Sequence, residues 1–509
     1  MDKSTDIGKS LIPPTLPKWW RILPSLSLLV MIAIVDTLIL NDFVQHRYAS
    51  QYETNSSKTA NIHELCLNST RTSHNSTQIL STTTSKLPRT TTMSPTDRIQ
   101  EATAKLNVYI SLASTVPAIL TSVLLGSNCD IIGRKPLVVL PYVGKCIRYI
   151  FFTAIAYYNL TDIWIVLGIM FDGIFGTLGL NLLSTFAYVS DCTSKEQRTR
   201  AIIITEVCII ISRVVPLFSM GLYLQNPNYT AAMLFILFIS IVGLIISIVL
   251  QPESNLSVQH LNIFQQLARI KIRETTKIFR VFLVKREGNK QRSLIMLISA
   301  HLLIVVMLIG SINLNYLYLY GPPFCMDSFG VSLTTGAQTI AVIIYTIIFT
   351  YVIPKGNDHL SRPILGTLAY IICITLYGIA NQVWMIYVAI CCGGLCYVLI
   401  PVIRSYVFKT VESSEYASVF LLASIVESGG TFAINAMGNE IYQSTLDIYS
   451  GFTYFVFALF GVLSIILLLY VLINLVLRII KNIICFSRIL SALKYRTLRA
   501  QQEAILLND

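Results

Sequence analysis

Nine ionisable side chains lie inside long apolar stretches of this chain: Asp36, Lys145, Arg148, Asp172, Glu206, Arg213, His301, Arg404 and Glu427. A charged group near a bilayer centre costs about 2.5–3.5 kcal/mol on insertion scales, which makes each of them a candidate for function. Setting His301 aside, four are acids and four are bases. Two chemistries fit that balance. In a cavity of low effective dielectric the planar arginine fork grips a carboxylate through two parallel bonds. A desolvated glutamate takes up a proton from an acidic outside and releases it to a neutral interior. Glu206, His301 and Asp172 are therefore read as proton-coupling residues, and Arg404, Arg148, Lys145, Glu427 and Asp36 as substrate-binding residues. If protonation of Glu206 frees a basic group to meet the substrate, proton and anion cross together. The competing reading is structural. Lys145 and Arg148, three apart on one helix face, pair with Asp172. Arg213 serves Glu206, two turns away on the same face. Asp36 and His301 become satisfied polar residues in helix packing.

Other chemistry is not expected. The chain has no Ser/His/Asp set, phosphate-binding loop or His-rich spacing, so an enzyme, a metal site and a cofactor other than the proton gradient are all disfavoured. Cys391, Cys392 and Cys396 have no histidine nearby and read as helix packing.

Such charges need membrane-spanning helices to hold them. Of 509 residues, 54% are hydrophobic and 13% charged, with a mean hydropathy of +0.66, far too apolar for a soluble protein of this length. Twelve stretches of about 20 residues, each long enough to cross a bilayer, fall at 22–43, 106–127, 136–158, 163–190, 201–224, 229–250, 293–320, 334–353, 363–380, 383–408, 416–439 and 449–477. The expected fold is an all-α polytopic membrane protein with twelve transmembrane helices in two six-helix bundles. Its parts are an N-tail (1–21), a first bundle (22–250) whose first loop is 44–105, a basic linker (251–292), a second bundle (293–477) and a C-tail (478–509).

The net charge of +12 sets orientation rather than a nucleic-acid surface. Lys18, Arg21, Arg134, Lys135, Lys195, Arg198, Arg200 and the Arg269–Arg292 cluster fall on one side, while the short opposite loops carry neither Lys nor Arg. By the positive-inside rule both tails are cytoplasmic, with anionic lipid as a partner of the basic surface. The first helix is expected to act as an uncleaved signal. Acceptor sequons at Asn55, Asn68, Asn75, Asn159 and Asn228 all lie on the opposite, outer side, whereas Asn255 lies inside. The Ser/Thr-rich first loop reads as disordered and glycosylated. Of eleven cysteines only Cys66 and Cys325 lie outside, which favours a disulfide between them over two free thiols.

The loop Gly126-Ser127-Asn128-Cys129-Asp130-Ile131-Ile132-Gly133-Arg134-Lys135 has the form and place of the signature loop of the major facilitator superfamily, with Ile131 where a basic residue is usual. Asp130, Gly133 and Arg134, with Asp191 at the end of the fourth span, are expected to form a conformational latch. Lys355–Pro363 resembles a decayed copy. Glu206 and Glu427 follow similar strings in the two halves, as repeat-built transporters arrange their sites.

Phe186–Asp191, Glu206, Tyr320–Cys325 and Pro401–Ser405 resemble solute carrier family 46, the proton-coupled folate transporter group, from Leu26 to about Leu477. The resemblance implies a proton-driven importer of anionic organic solutes. Glu206 would be the coupling acid, Arg404 a substrate-facing cation, Asp130 and Arg134 the latch, and Cys66 with Cys325 the outer disulfide. Ile169, Thr177 and Leu308 stand where the folate transporter is expected to carry Arg, Asp and His, which weakens the case for folate itself and leaves a proton-coupled organic-anion carrier standing. Three readings stand beside proton-coupled folate-like uptake: a carrier of wall-fragment peptides or drug conjugates, lysosomal placement suggested by the dileucine-like tail Glu503–Leu507, and a receptor without net flux. The plasma membrane is favoured, and monomer and homo-oligomer remain equally open.

Overall fold

The computed structural model describes residues 18–52, 95–278, 290–352, 361–395, 403, 416–446, 448–475 and 477. Within hydrocarbon every backbone amide and carbonyl must find a partner in its own segment, which long apolar runs achieve as helices. The helices are α1 (Leu23–Tyr52), α2 (Pro95–Ser127), α3 (Lys135–Tyr158), α4a (Asp162–Ile174), α4b (Thr177–Asp191), α5 (Lys195–Tyr223) and α6 (Tyr229–Val249). After the linker come α7 (Lys290–Tyr320), α8 (Ser328–Val352), α9 (Ser361–Ile379), α10 (Val383–Gly393) and α11 (Tyr416–Thr445), then α12 (Phe452–Leu475). Among the described residues ten helices are long and apolar enough to cross a membrane, α4a and α4b counting as one. The described part of α10 is shorter, and α11 is 30 residues long.

Several helices outrun the spans expected for them. α1 continues to Tyr52 and α2 begins at Pro95, well beyond the expected span ends at 43 and 106. The extensions hold because they find partners beyond the expected ends: Arg47 pairs with Asp162 at 2.9 Å, and Gln100 and Glu101 meet Tyr442 and Gln443, with Gln45, Gln100 and Thr103 buried.

The two halves repeat one another. α1 packs on α5 as α7 packs on α11, α2 on α4a as α8 on α10, and α3 on α4a as α9 on α10. The halves meet where α2 lies against α11 and α5 against α8. An exchange of halves turns the first seam into the second, the mark of a pseudo-two-fold axis.

Alternating chain direction gives the molecule two ends. The basic end carries Arg134 and Arg269; the sequon end carries Asn159 and Asn228, both exposed. At the sequon end the halves are joined by polar contacts. Asp42 of α1 accepts hydrogen bonds from Tyr229 at 2.7 Å, from Tyr320 at 3.3 Å and from Ser328. Tyr442 donates to Gln100 at 3.1 Å, and Gln443 to Glu101 at 3.1 Å.

The α5–α8 seam is tight. A Cβ on Gly221 would lie 2.4 Å from that of Ser332, so the backbone approaches as small residues permit between membrane helices. Gly221→Val should lower the melting temperature of the detergent-purified protein by several degrees. Gly179→Ala, where a Cβ meets nothing within 4 Å, should leave it unchanged or slightly raised; equal behaviour of the two variants would count against this seam.

Candidate functional site

Four of the intramembrane charges come together in the first half. Lys145 and Arg148 share one face of α3, one turn apart. Asp36 comes from α1, and Asp172 from α4a just before its break. α4a reaches them because it is pressed close to its neighbours: a Cβ on Gly144 of α3 would lie 2.8 Å from Phe175, and one on Gly173 only 2.5 Å from the Ser114 carbonyl of α2. Gly176, at φ +93°, then turns the chain from α4a into α4b. Lys145 Nζ lies 2.7 Å from Asp172 Oδ2 and 3.2 Å from Asp36 Oδ2. Arg148 holds Asp36 Oδ1 at 2.7 Å and Asp172 Oδ2 at 2.9 Å. Tyr149 donates to Asp36 Oδ1 at 2.6 Å, and the Arg148 guanidinium lies 4.8 Å from the centre of the Phe152 ring.

This square of two cations and two anions is neutral and dry, with side-chain exposure from 1% for Asp172 to 10% for Asp36. Removing one partner of a buried ion pair strands the other and costs about 3–5 kcal/mol. Asp172 Oδ1 and Arg148 Nε are sealed without a hydrogen-bond partner, two unmet positions inside an otherwise closed network. A substrate anion would have to displace an aspartate to reach either cation.

In the second half, His301 Nε2 of α7 meets Glu427 Oε1 of α11. His301 is 3% exposed, and its Nδ1 is buried without a partner. Glu427 is partly accessible, at 19%. Glu206 and Glu427 lie 17 and 18 residues before the sequon-end termini of their helices, Tyr223 and Thr445, so the two acids share a depth. Both are half-buried. No ion pair joins Arg213 to Glu206 among the described residues; two turns of helix, about 10 Å, separate them. Arg404 lies outside the described residues.

At the basic end the four latch residues converge. Arg134 donates from Nε to Asp191 at 3.0 Å, from Nη2 to Asp130 at 2.7 Å and from Nη1 to Cys129 Sγ at 2.8 Å. Burial opposes its charge, yet the Cys129 sulfur and the Asp191 and Asp130 carboxylates outweigh that and hold its pKa above the usual arginine value. Stability from a raised cation persists at every pH below the unfolded value, so the latch keeps its charge across the physiological range. Burial pushes the Cys129 thiol up to about 11. Gly133, at φ +93°, makes the turn that brings Arg134 back.

Glu253 completes this assembly. It is 4% exposed, and it accepts from the backbone amides of Arg134 at 2.8 Å and Lys135 at 3.0 Å, capping the start of α3. Sequence reasoning passed it over. The available signal was an acid directly after Pro252 at the end of an apolar span, in a segment otherwise basic. Ser254 reinforces Asp191 at 3.1 Å, and Asn255 donates to the Asp130 carbonyl at 2.7 Å.

Cys325 is disulfide-bonded; Cys66, the partner expected for it, lies outside the described residues, as do Asn55, Asn68 and Asn75. Asn159 ends α3 in the left-handed conformation, and Asn228 caps α6 by accepting from the Ala231 amide at 3.1 Å.

The Gly133 Cβ position lies 2.4 Å from Glu253 Oε2, and its φ disfavours any side chain by about 1–2 kcal/mol. Gly133→Ala should therefore melt several degrees below wild type. Glu253→Ala, which uncovers two helix-start amides at a cost of about 1–2 kcal/mol, should do the same, and Glu253→Gln should recover part of the loss. Wild-type melting in Glu253→Ala would remove this carboxylate from the latch.

Residues 93–435 match the Major Facilitator Superfamily, well over half the chain. The chain is 26% identical over 394 residues to the Gallus gallus lysosomal proton-coupled steroid conjugate and bile acid symporter SLC46A3, covering 75% of this chain and 83% of that protein. It is 21% identical over 365 residues to the Bos taurus proton-coupled folate transporter, covering 70% and 76%. Its fold is similar to the crystal structure of the human organic anion transporter MFSD10 (TETRAN), with a TM-score of 0.59 at 13% identity, covering 89% of this chain and all of that one. It is equally similar to a D-xylose-proton symporter, with a TM-score of 0.59 at 13% identity, covering 89% and 97%. This multi-pass membrane chain, a carrier rather than an enzyme, belongs to the Major Facilitator Superfamily.

Proposed function

We propose that the chain is a proton-driven importer of anionic organic solutes, working by alternating access. The observation that carries the reading is the His301–Glu427 pair, its histidine buried and its glutamate partly accessible. An imidazole held against a carboxylate can accept a proton and hand it on. Its carboxylate partner is partly accessible, so a proton has a route to the pair. Glu206 stands at the same depth in the other half and supplies a second acid to the cycle.

The basic end is the cytoplasmic face and the sequon end faces outward, with both tails inside. The bundles run from 22 to 250 and from 293 to 477, joined by the linker 251–292. The contacts of Asp42 and Gln100 close the outer side. Opening that side requires them to part while the His301–Glu427 pair gains access to external protons. Arg404 is the cation expected to meet the anion. The relatives' names, one a folate transporter and one a steroid conjugate and bile acid symporter, support an organic anion as cargo. The plasma membrane is the proposed site of action. The lysosome is the second reading, favoured by the name of the Gallus gallus relative and by the dileucine-like tail.

Cells expressing the chain should accumulate labelled folate or labelled bile acid faster at about pH 5.5 than at about pH 7.4, and a proton ionophore should abolish the difference. Saturable binding without accumulation, with the protein present at the cell surface, would instead mark a receptor. Glu427→Gln and Glu206→Gln should each flatten the pH dependence while retaining binding. A wild-type pH profile in Glu427→Gln would sink the role given to the pair.

A further inference from the structure

The cations held inside the first half are not alike: Arg134, Lys145 and Arg148 are buried, and Arg213 is half-buried. Lys145 and Arg148 are each held by two carboxylates, and Arg134 by Asp130 and Asp191. Arg213 has no such partner among the described residues. It makes no ion pair or hydrogen bond with any described residue, and its Nε is sealed from solvent and unbonded.

Its position makes that isolation costly. Arg213 lies ten residues before the sequon-end terminus of α5 at Tyr223, near the middle of the span 201–224 expected from the sequence. Ile211 and Val215 lie 57% and 65% exposed and, with Ile204, Val207 and Leu222, form the lipid-facing stripe of the helix. Arg213 falls about 200° around the helix from Ile211, so it faces inward. There α5 packs against α8 and α1. The guanidinium thus stands at a seam between the two halves, at the depth where repeat-built carriers place their sites. An unpaired charge there is retained only with a compensating partner, and none of the described side chains supplies one.

We propose that Arg213 is the substrate-binding cation of the first half, its guanidinium receiving an oxyanion, carboxylate or sulfate, of the transported solute. This rests on the reading of the chain as an organic-anion carrier. It divides the labour of the site: Lys145 and Arg148 are neutralised within the half by Asp36 and Asp172, while Arg213 is left open to the passing ligand. The fork geometry matters, because guanidinium makes two parallel bonds to an oxyanion where ammonium presents a point charge.

Two experiments test it. The first needs no cargo. In membranes, 2-sulfonatoethyl methanethiosulfonate should label Arg213→Cys above the background of the native cysteines, because the position lines an aqueous path; inertness to the reagent from both faces overturns the proposal. The second uses whichever of folate and bile acid the wild type accumulates. Arg213→Gln should raise KM tenfold or more with kcat and surface amount little changed, and Arg213→Lys should fall between it and wild type. An unchanged KM in Arg213→Gln overturns the proposal even if the wild type shows proton-driven uptake. If the wild type accumulates neither solute, the cargo reading fails, and the labelling result alone decides whether Arg213 faces the path.

Discussion

A membrane interior supplies no partner for a charge, and this constraint orders the first half of the molecule. Asp36, Lys145, Arg148 and Asp172 must neutralise one another, so three helices must bring four side chains within about 3 Å contacts. That demand reaches back into the backbone. α4a lies against α2 and α3 because Gly173 and Gly144 leave room for it, and the break at Gly176 frees α4b to run on to Asp191 and the latch. Loss of any one of the four charges would strand its partners in a medium that cannot solvate them.

The two halves share helix packing but differ in the charges they carry. The first holds permanent cations locked to aspartates; the second holds a histidine against a glutamate. A repeated scaffold therefore gives one half a closed square of ions and the other a single histidine–glutamate contact, with the seams α2–α11 and α5–α8 between them.

Much of this was legible in the sequence. The intramembrane charges stand out because hydrocarbon makes each one expensive, and the latch loop because its glycines and charges recur at fixed spacing. The pairing of His301 with Glu427 was not, since the partners are 126 residues apart and apolar periodicity says nothing about which faces meet. Asp42 was hidden for another reason. It falls at the expected edge of the first span, where an acid looks like the start of a loop, yet the helix continues past it and buries it against Tyr229, Tyr320 and Ser328. Glu253 escaped because what it binds is backbone, and amides at a helix start leave no trace in side-chain patterns.

The Glu253 carboxylate joins the chain just beyond α6 to the first turn of α3, and Arg134 carries that anchorage to the end of α4b. Sliding of α3 along α6 would tear both amides from their acceptor, so the first half is stiffened against internal shear. Relative movement is left to the two seams, and because one two-fold operation relates them, they function as the paired races of a single bearing. A rotation that opens one end of such a bearing closes the other, which makes simultaneous exposure of the path to both sides of the membrane a mechanical contradiction.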